Sequence, residues 1–195
     1  MRYKPIARRA NVPDIMEEFG KTLWEELDYE QEVLNVKRFQ EIFSGHPHIY
    51  IPEVYEEIST SRAIVLENVE NMKINDLEGI IEAGIDEKQV ANDLIEAYLF
   101  QLFRHGLFHA DPHPGNLFIR PVGPELTAEE RTAGKYRKHQ IIFIDFGMIG
   151  RLPNDLRQNM GQVLVALVQQ DGRRAVNAYN PVSYTHLTLP TILLV

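Results

Sequence analysis

At 195 residues, without cysteine and with a formal net charge of −8, the chain can form one domain or two small lobes but no disulfide, thiolate metal site or cysteine nucleophile. Apolar residues make up 44% and charged residues 25%, the balance of a core-forming protein rather than a disordered one. The acidic balance argues against a general nucleic-acid binder, whose phosphate contacts need clustered Lys and Arg. No stretch approaches the roughly 20 apolar residues of a membrane span, and the basic start, Met1 to Ala10, lacks the apolar centre of a signal peptide.

In chain order, Asp14 followed by Glu17 reads as a capping box, and Ile15, Phe19, Leu23, Leu27 and Leu34 recur at helical spacing, so the pattern predicts one helix over 14–44, ended at Gly45. The β-branched runs 52–58 and 62–69 predict an antiparallel pair turned at Ser59 to Ser61. A helix is expected over 73–83, closed by Gly84. The next is expected from Asp86, with Gln89 completing a capping box, to His105, with Val90, Leu94, Tyr98 and Leu102 as its buried stripe. Two strands, 117–119 and 141–144, flank a polar insertion, 120–140, that reads as a surface hairpin extension. Residues 153–170 read as a last helix, with Val163, Leu164, Leu167 and Val168 apolar. From Pro181 the composition changes abruptly, and 181–195 read as a non-native tail.

The chemistry concentrates between the third helix and the last. His109-Ala-Asp-Pro-His-Pro-Gly-Asn116 holds Asp111 in a loop stiffened by Pro112 and Pro114, and Asn116 opens a strand, where its amide oxygen could meet a hard cation. Asp145 ends the apolar run 141–144, so a charge follows a buried strand directly, and metal coordination resolves the desolvation this implies. An Asp, an Asn five residues on and an Asp-Phe-Gly after a strand form the set that phosphoryl transfer on a Mg-nucleotide requires. Two other readings compete: Asp and Asn as simple turn caps, and His109-x-Asp111-x-His113 as a hydrolytic zinc or iron site. In the first helix, Asp28 and Glu32 are like charges at i,i+4 among further acidic residues, either a solvated face or a face awaiting a cation.

Taken together, Glu26-Leu-Asp28-Tyr-Glu-Gln-Glu32-Val-Leu-Asn35, the 109–116 segment and Asp145-Phe-Gly147 closely resemble the UbiB/aarF-domain (ADCK-type) atypical kinase family over roughly 10–175. Where ordinary protein kinases carry Arg and Lys around the loop Asp, this chain has Ala110 and His113, as that family does. The resemblance implies an α+β protein-kinase-like fold, with a truncated N-lobe over 1–72 and a mostly helical C-lobe over 73–180. It implies Asp111 as the catalytic-loop aspartate, and Asn116 and Asp145 as Mg²⁺ ligands. Glu32 would be the helix glutamate that pairs with a nucleotide-binding lysine, and Glu26 with Asp28 the signature that influences nucleotide and metal binding.

The implied cofactors are ATP and Mg²⁺, and the implied activity is that of a kinase or ATPase serving ubiquinone, other isoprenoid-quinone or lipid metabolism. Lipid or quinone-biosynthetic proteins are the implied partners. A cytoplasmic location is expected, with peripheral membrane association compatible with it. The family's Lys-x-Gly-Gln motif, small-residue nucleotide loop and Val-Ala-x-Lys strand are missing ahead of the first helix. Impaired turnover is therefore expected of this polypeptide, and a nucleotide-gated regulator or scaffold of quinone-biosynthetic enzymes is the alternative. A small-molecule phosphotransferase of the aminoglycoside or choline kinase type shares a similar loop, but the Glu26-x-Asp28 signature argues against it.

Overall fold

A computed structural model describes residues 29–69, 71–174 and 176–177. Helix α1 (Tyr29–Ile42) buries Glu32, Asn35, Val36 and Phe39 on one face, which is i,i+3,i+4,i+7 spacing, and the chain leaves it through Gly45 at φ +72°. The part of the expected 14–44 helix that precedes Tyr29 lies outside the described residues, as does the 181–195 tail.

A four-stranded sheet in the order β1-β5-β4-β2 underlies the site: β1 (Ile49–Tyr50), β2 (Met72–Lys73), β4 (Leu117–Val122) and β5 (Lys138–Phe143). Strands β4 and β5 are antiparallel, with Leu117 opposite Phe143 and Ile119 opposite Ile141, while β1 runs parallel to β5. The insertion between β4 and β5 is the expected hairpin extension, and it carries a short helix, α4 (Ala128–Thr132), opened by a Thr127/Glu130 capping box. A separate ribbon pairs β3 (Leu107–His109) with β6 (Ile149–Arg151). The core is aromatic at its centre: the Phe39 ring lies 4.9 Å from that of Phe146, and Phe43 stacks on Phe143 at 6.2 Å.

Several expectations change. The antiparallel pair over 52–58 and 62–69 contracts to isolated bridges, Val54 to Leu66 and Thr60 to Ala63, with a 3₁₀ turn over Glu56–Ile58. Ser59 is the cause: its Oγ donates to the Tyr55 carbonyl at 2.8 Å and accepts from the Val65 amide at 3.0 Å, replacing ladder bonds. Helix α2 (Leu77–Glu82) begins later than residue 73, because Met72 and Lys73 pair with β4 and Asp76 then caps the helix by accepting from the Gly79 amide.

Helix α3 (Glu87–Leu99) starts as expected on Asp86, yet the capping box does not close, since the Gln89 side chain donates instead to Asp93 at 2.8 Å. The fully buried face of this stretch is Val90, Asp93, Ala97 and Gln101, while Leu94, Tyr98 and Leu102 are half-buried. A π-helical turn over Phe100–His105 continues α3 and ends at Gly106, φ +64°. Helix α5 (Asn154–Val168) lies where it is expected, but among its apolar residues Leu164, Val165, Leu167 and Val168 are exposed and Ala166 is buried.

Candidate active site

Asp145 follows Ile144 at the end of β5 and adopts the left-handed backbone, φ +60°, a conformation Asp tolerates better than most residues. Three neighbours fix the turn it begins. The buried His109 ring places Nε2 2.8 Å from the Asp145 carbonyl and 3.1 Å from that of Ile144. Both are acceptors, so Nε2 carries the proton, and burial, foremost, holds the imidazole below its usual pKa despite these bonds. From α1, Glu32 accepts from the Phe146 amide at 3.1 Å, and Asn35 Nδ2 donates to the Phe146 carbonyl at 2.9 Å. Phe146 itself is fully buried, which anchors the turn, whereas the Asp145 side chain is exposed and accepts from the Gly147 amide at 3.3 Å.

The loop bearing Asp111 is braced in turn. Asn116 Nδ2 donates to Asp111 Oδ2 at 2.8 Å, which holds the carboxylate and leaves the amide oxygen of Asn116 to meet another group. His113 Nδ1 accepts from the Gly115 amide at 3.0 Å and stays exposed, so it shapes the turn. The Gln101 side chain, fully buried in the π-helical turn, accepts from the His109 amide at 2.8 Å and ties the loop to α3.

These elements meet in a cleft of about 420 Å³ lined by Tyr29, Glu32, Ile64, Asp111, Asp145 and Gly147. Beside it, sharing Glu32 and Asp145, is a more apolar recess against Leu66, Val69, Phe118 and Ile144. The structure thus brings Asp111, Asn116, Asp145 and Glu32 to one place, while Glu26 and Asp28 lie outside the described residues. Burial, and then the charge of Asp145, push the Glu32 carboxyl above its usual range. Three carboxylates, Glu32, Asp111 and Asp145, facing one cleft with no Lys or Arg among its described lining residues make a donor set suited to a hard cation.

Besides Gln101, two residues around the site have roles that a reading of the sequence does not assign. Asn35 carries a signal, its i+3 offset from Glu32 on one helix face, but nothing in its identity says that it holds a carbonyl more than a hundred positions away. Tyr98 is the other: burial, foremost, and the charge of Asp111 push its hydroxyl up to about 12, so it remains a neutral phenol near Asp111.

The ABC1 atypical kinase-like domain family matches residues 2–179. Among curated relatives, an uncharacterized protein, sll1770, of Synechocystis is 35% identical over 164 residues, covering 84% of this chain and 26% of that one. A probable protein kinase UbiB of Histophilus somni is 31% identical, covering 91% and 30%. Protein ACTIVITY OF BC1 COMPLEX KINASE 8, chloroplastic, of Arabidopsis thaliana is 30% identical, covering 84% and 20%. The chain therefore spans under a third of the length of these relatives. Among solved structures, the Rv3197–erythromycin complex from Mycobacterium tuberculosis superposes with a TM-score of 0.61 at 22% identity, covering 89% of this chain and 40% of that one. This likeness confirms the α+β kinase-like fold expected from the sequence.

Proposed function

Because the chain belongs to the ABC1 atypical kinase-like family, we propose that its cleft is the Mg-nucleotide site of an atypical kinase or ATPase. The observation that carries the reading is the convergence of Asp111, Asp145 and Glu32 on one cleft next to an apolar recess, with Asn116 bonded to Asp111 at its edge. The nucleobase would lie against Leu66, Val69, Phe118 and Ile144, and the phosphates would point toward Asp145. Asn116 and Asp145 would hold Mg²⁺, which when bound neutralises charge developing on the phosphates.

Asp111, held by Asn116, would orient or accept a proton from the attacking hydroxyl or water, and positioning would supply most of the effect. Glu32 keeps the Asp145 turn in place through the Phe146 amide and would pair with a lysine of the covering lobe. By the resemblance of its motifs, the whole protein would serve isoprenoid-quinone or lipid metabolism as a transferase, working beside quinone-biosynthetic proteins and in peripheral contact with a membrane. No described helix is long and apolar enough to cross one.

A second reading, a nucleotide-gated regulator without turnover, is favoured by the lack of Lys and Arg among the described cleft residues. Calorimetry of ATP and ADP with and without Mg²⁺, on this chain and on Asp145→Asn, tests the site. Binding that needs Mg²⁺ and is lost in the variant supports it; a folded chain whose binding ignores both refutes it. Nucleotide binding without phosphate release or a phosphorylated acceptor, in the chain and in a longer protein that includes a lysine strand, selects the regulator.

A further inference from the structure

We propose a second metal centre, made of His48, Asp93 and His139, that takes a transition-metal ion of the Zn²⁺ class. It is separate from the nucleotide cleft: His139 and Asp145 are six residues apart along β5 and its continuation, about 20 Å at strand rise. The three residues come from three elements, His48 from the approach to β1, Asp93 from α3 and His139 from β5.

The ligand atoms are already gathered. Asp93 Oδ2 lies 3.0 Å from His139 Nε2 and 3.5 Å from His48 Nδ1, and all three atoms fall within 4.8 Å of one another. Zinc bonds of about 2.0–2.1 Å in a tetrahedron give ligand-to-ligand edges of about 3.3–3.4 Å, so two observed separations bracket that edge. Asp93 is 5% exposed and His139 3%, and neither Asp93 Oδ2 nor His139 Nε2 has a hydrogen-bond partner outside this group among the described residues. A buried carboxylate flanked by two imidazoles is costly as it stands, and a divalent cation would satisfy all three groups at once.

The surroundings fit a ligand set. Gln89 donates to the other Asp93 oxygen at 2.8 Å, as outer-shell partners of metal-bound carboxylates do. On the His48 side, the backbone carbonyl accepts from the Ile141 amide at 2.8 Å and the backbone amide donates to His46 Nδ1 at 3.3 Å, so the residue is held from both directions. His48 is partly exposed, which opens the fourth position to water and gives the ion an entry path. Two imidazoles and one carboxylate select Zn²⁺, Co²⁺ or Ni²⁺ over Mg²⁺, so the two centres differ in ion as well as in place. Bound there, the ion would clip α3 to β1 and β5 at the end of the sheet remote from Asp145.

The test uses the metal-stripped chain without nucleotide: Zn²⁺ calorimetry, and Co²⁺ titration followed by visible absorption, which reports coordination number. One equivalent per chain is expected, with the intense band of four-coordinate cobalt. Asp93→Asn and His48→Ala should each weaken binding by about 100-fold or more, while Asp145→Asn should leave it unchanged. His48 is partly exposed, so His48→Ala remains informative if His139→Ala fails to fold. Absence of stoichiometric Zn²⁺ binding in the folded wild type would overturn the proposal and make the trio a hydrogen-bonded His–Asp–His network. Binding that survives both His48→Ala and Asp93→Asn would overturn it equally.

Discussion

Replacing Asn35 by Ala removes two hydrogen bonds, its donation to the Phe146 carbonyl and its acceptance from Gln31 Nε2 at 3.1 Å, and should disturb both stability and the proposed nucleotide site. Asn35 is 1% exposed and its Nδ2 donates at 2.9 Å to the Phe146 carbonyl, in the turn that sets Asp145. Truncation leaves that buried carbonyl without its donor, a loss of about 1–3 kcal/mol. At this chain length each kcal/mol moves the melting temperature by about 2–4 °C, so a fall of about 2–12 °C is expected in thermal melts followed by circular dichroism.

Gln40→Ala on the same helix is the comparison. Its Nε2 donates at 2.6 Å to the Pro52 carbonyl in a part-buried setting where water can take over, and the loss should be about 0.5–1.5 kcal/mol. Mg-nucleotide affinity, read by calorimetry below the melting range, should fall in Asn35→Ala and hold in Gln40→Ala. If Asn35→Ala melts within about 1 °C of the wild type, or loses less than Gln40→Ala while binding nucleotide normally, the carbonyl does not depend on Asn35 and the argument for the clamped turn is wrong.

Other consequences can be measured in the same way. Burial, then the charge of Asp145, raise the Glu32 carboxyl from 4.5, and a raised carboxyl favours folding below its unfolded value and loses that contribution as pH rises through its folded value. Glu32→Gln should therefore gain stability relative to the wild type between pH 4.5 and neutrality, and a pH-independent difference in melts would contradict this. His109 is depressed, so its contribution is present above 6.5 and lost as pH falls through its folded value; in His109→Gln that share of the acid loss should vanish from the pH profile of unfolding. Asp145→Gly relieves a left-handed backbone and should resist urea by up to about 1 kcal/mol more than the wild type while losing Mg-dependent nucleotide binding. A Cβ on Gly150 would sit 2.2, 2.6 and 2.7 Å from atoms of the Phe108 ring, so Gly150→Ala should lower stability by about 1–3 kcal/mol, and pairing it with Phe108→Leu should recover part.

Much of the backbone is legible in the chain because glycines mark its stops: Gly45, Gly84 and Gly106 each take positive φ where a helix ends. The strands around 117 and 141 are equally plain, being apolar runs bounded by polar turns. Side-chain competition is what periodicity misses. Ser59 displaces strand bonds, and Asp93 draws Gln89 out of a capping box, because each finds a partner that local sequence does not reveal. The loop Asp and Asn and the Asp after β5 are visible as a motif, since their spacing carries the chemistry. Asn35 and Gln101 are not, since each acts on a backbone atom brought to it by the fold.

The π-helical turn over Phe100–His105 reconciles two different periodicities. A helix advances its faces by about 100° per residue, a strand by 180°. Between the buried Gln101 and the buried His109 that it holds, the chain passes from one rule to the other, and the wider turn absorbs the odd residue. Forcing this turn into ordinary helical winding without shortening it would push the odd residue into β3 and shift its register. His109 would then face outward, and the aspartate two positions on would lose its place opposite Asp145. The geometry of this segment and the Gln101 side chain it carries together set where the helix holds the Asp111 loop.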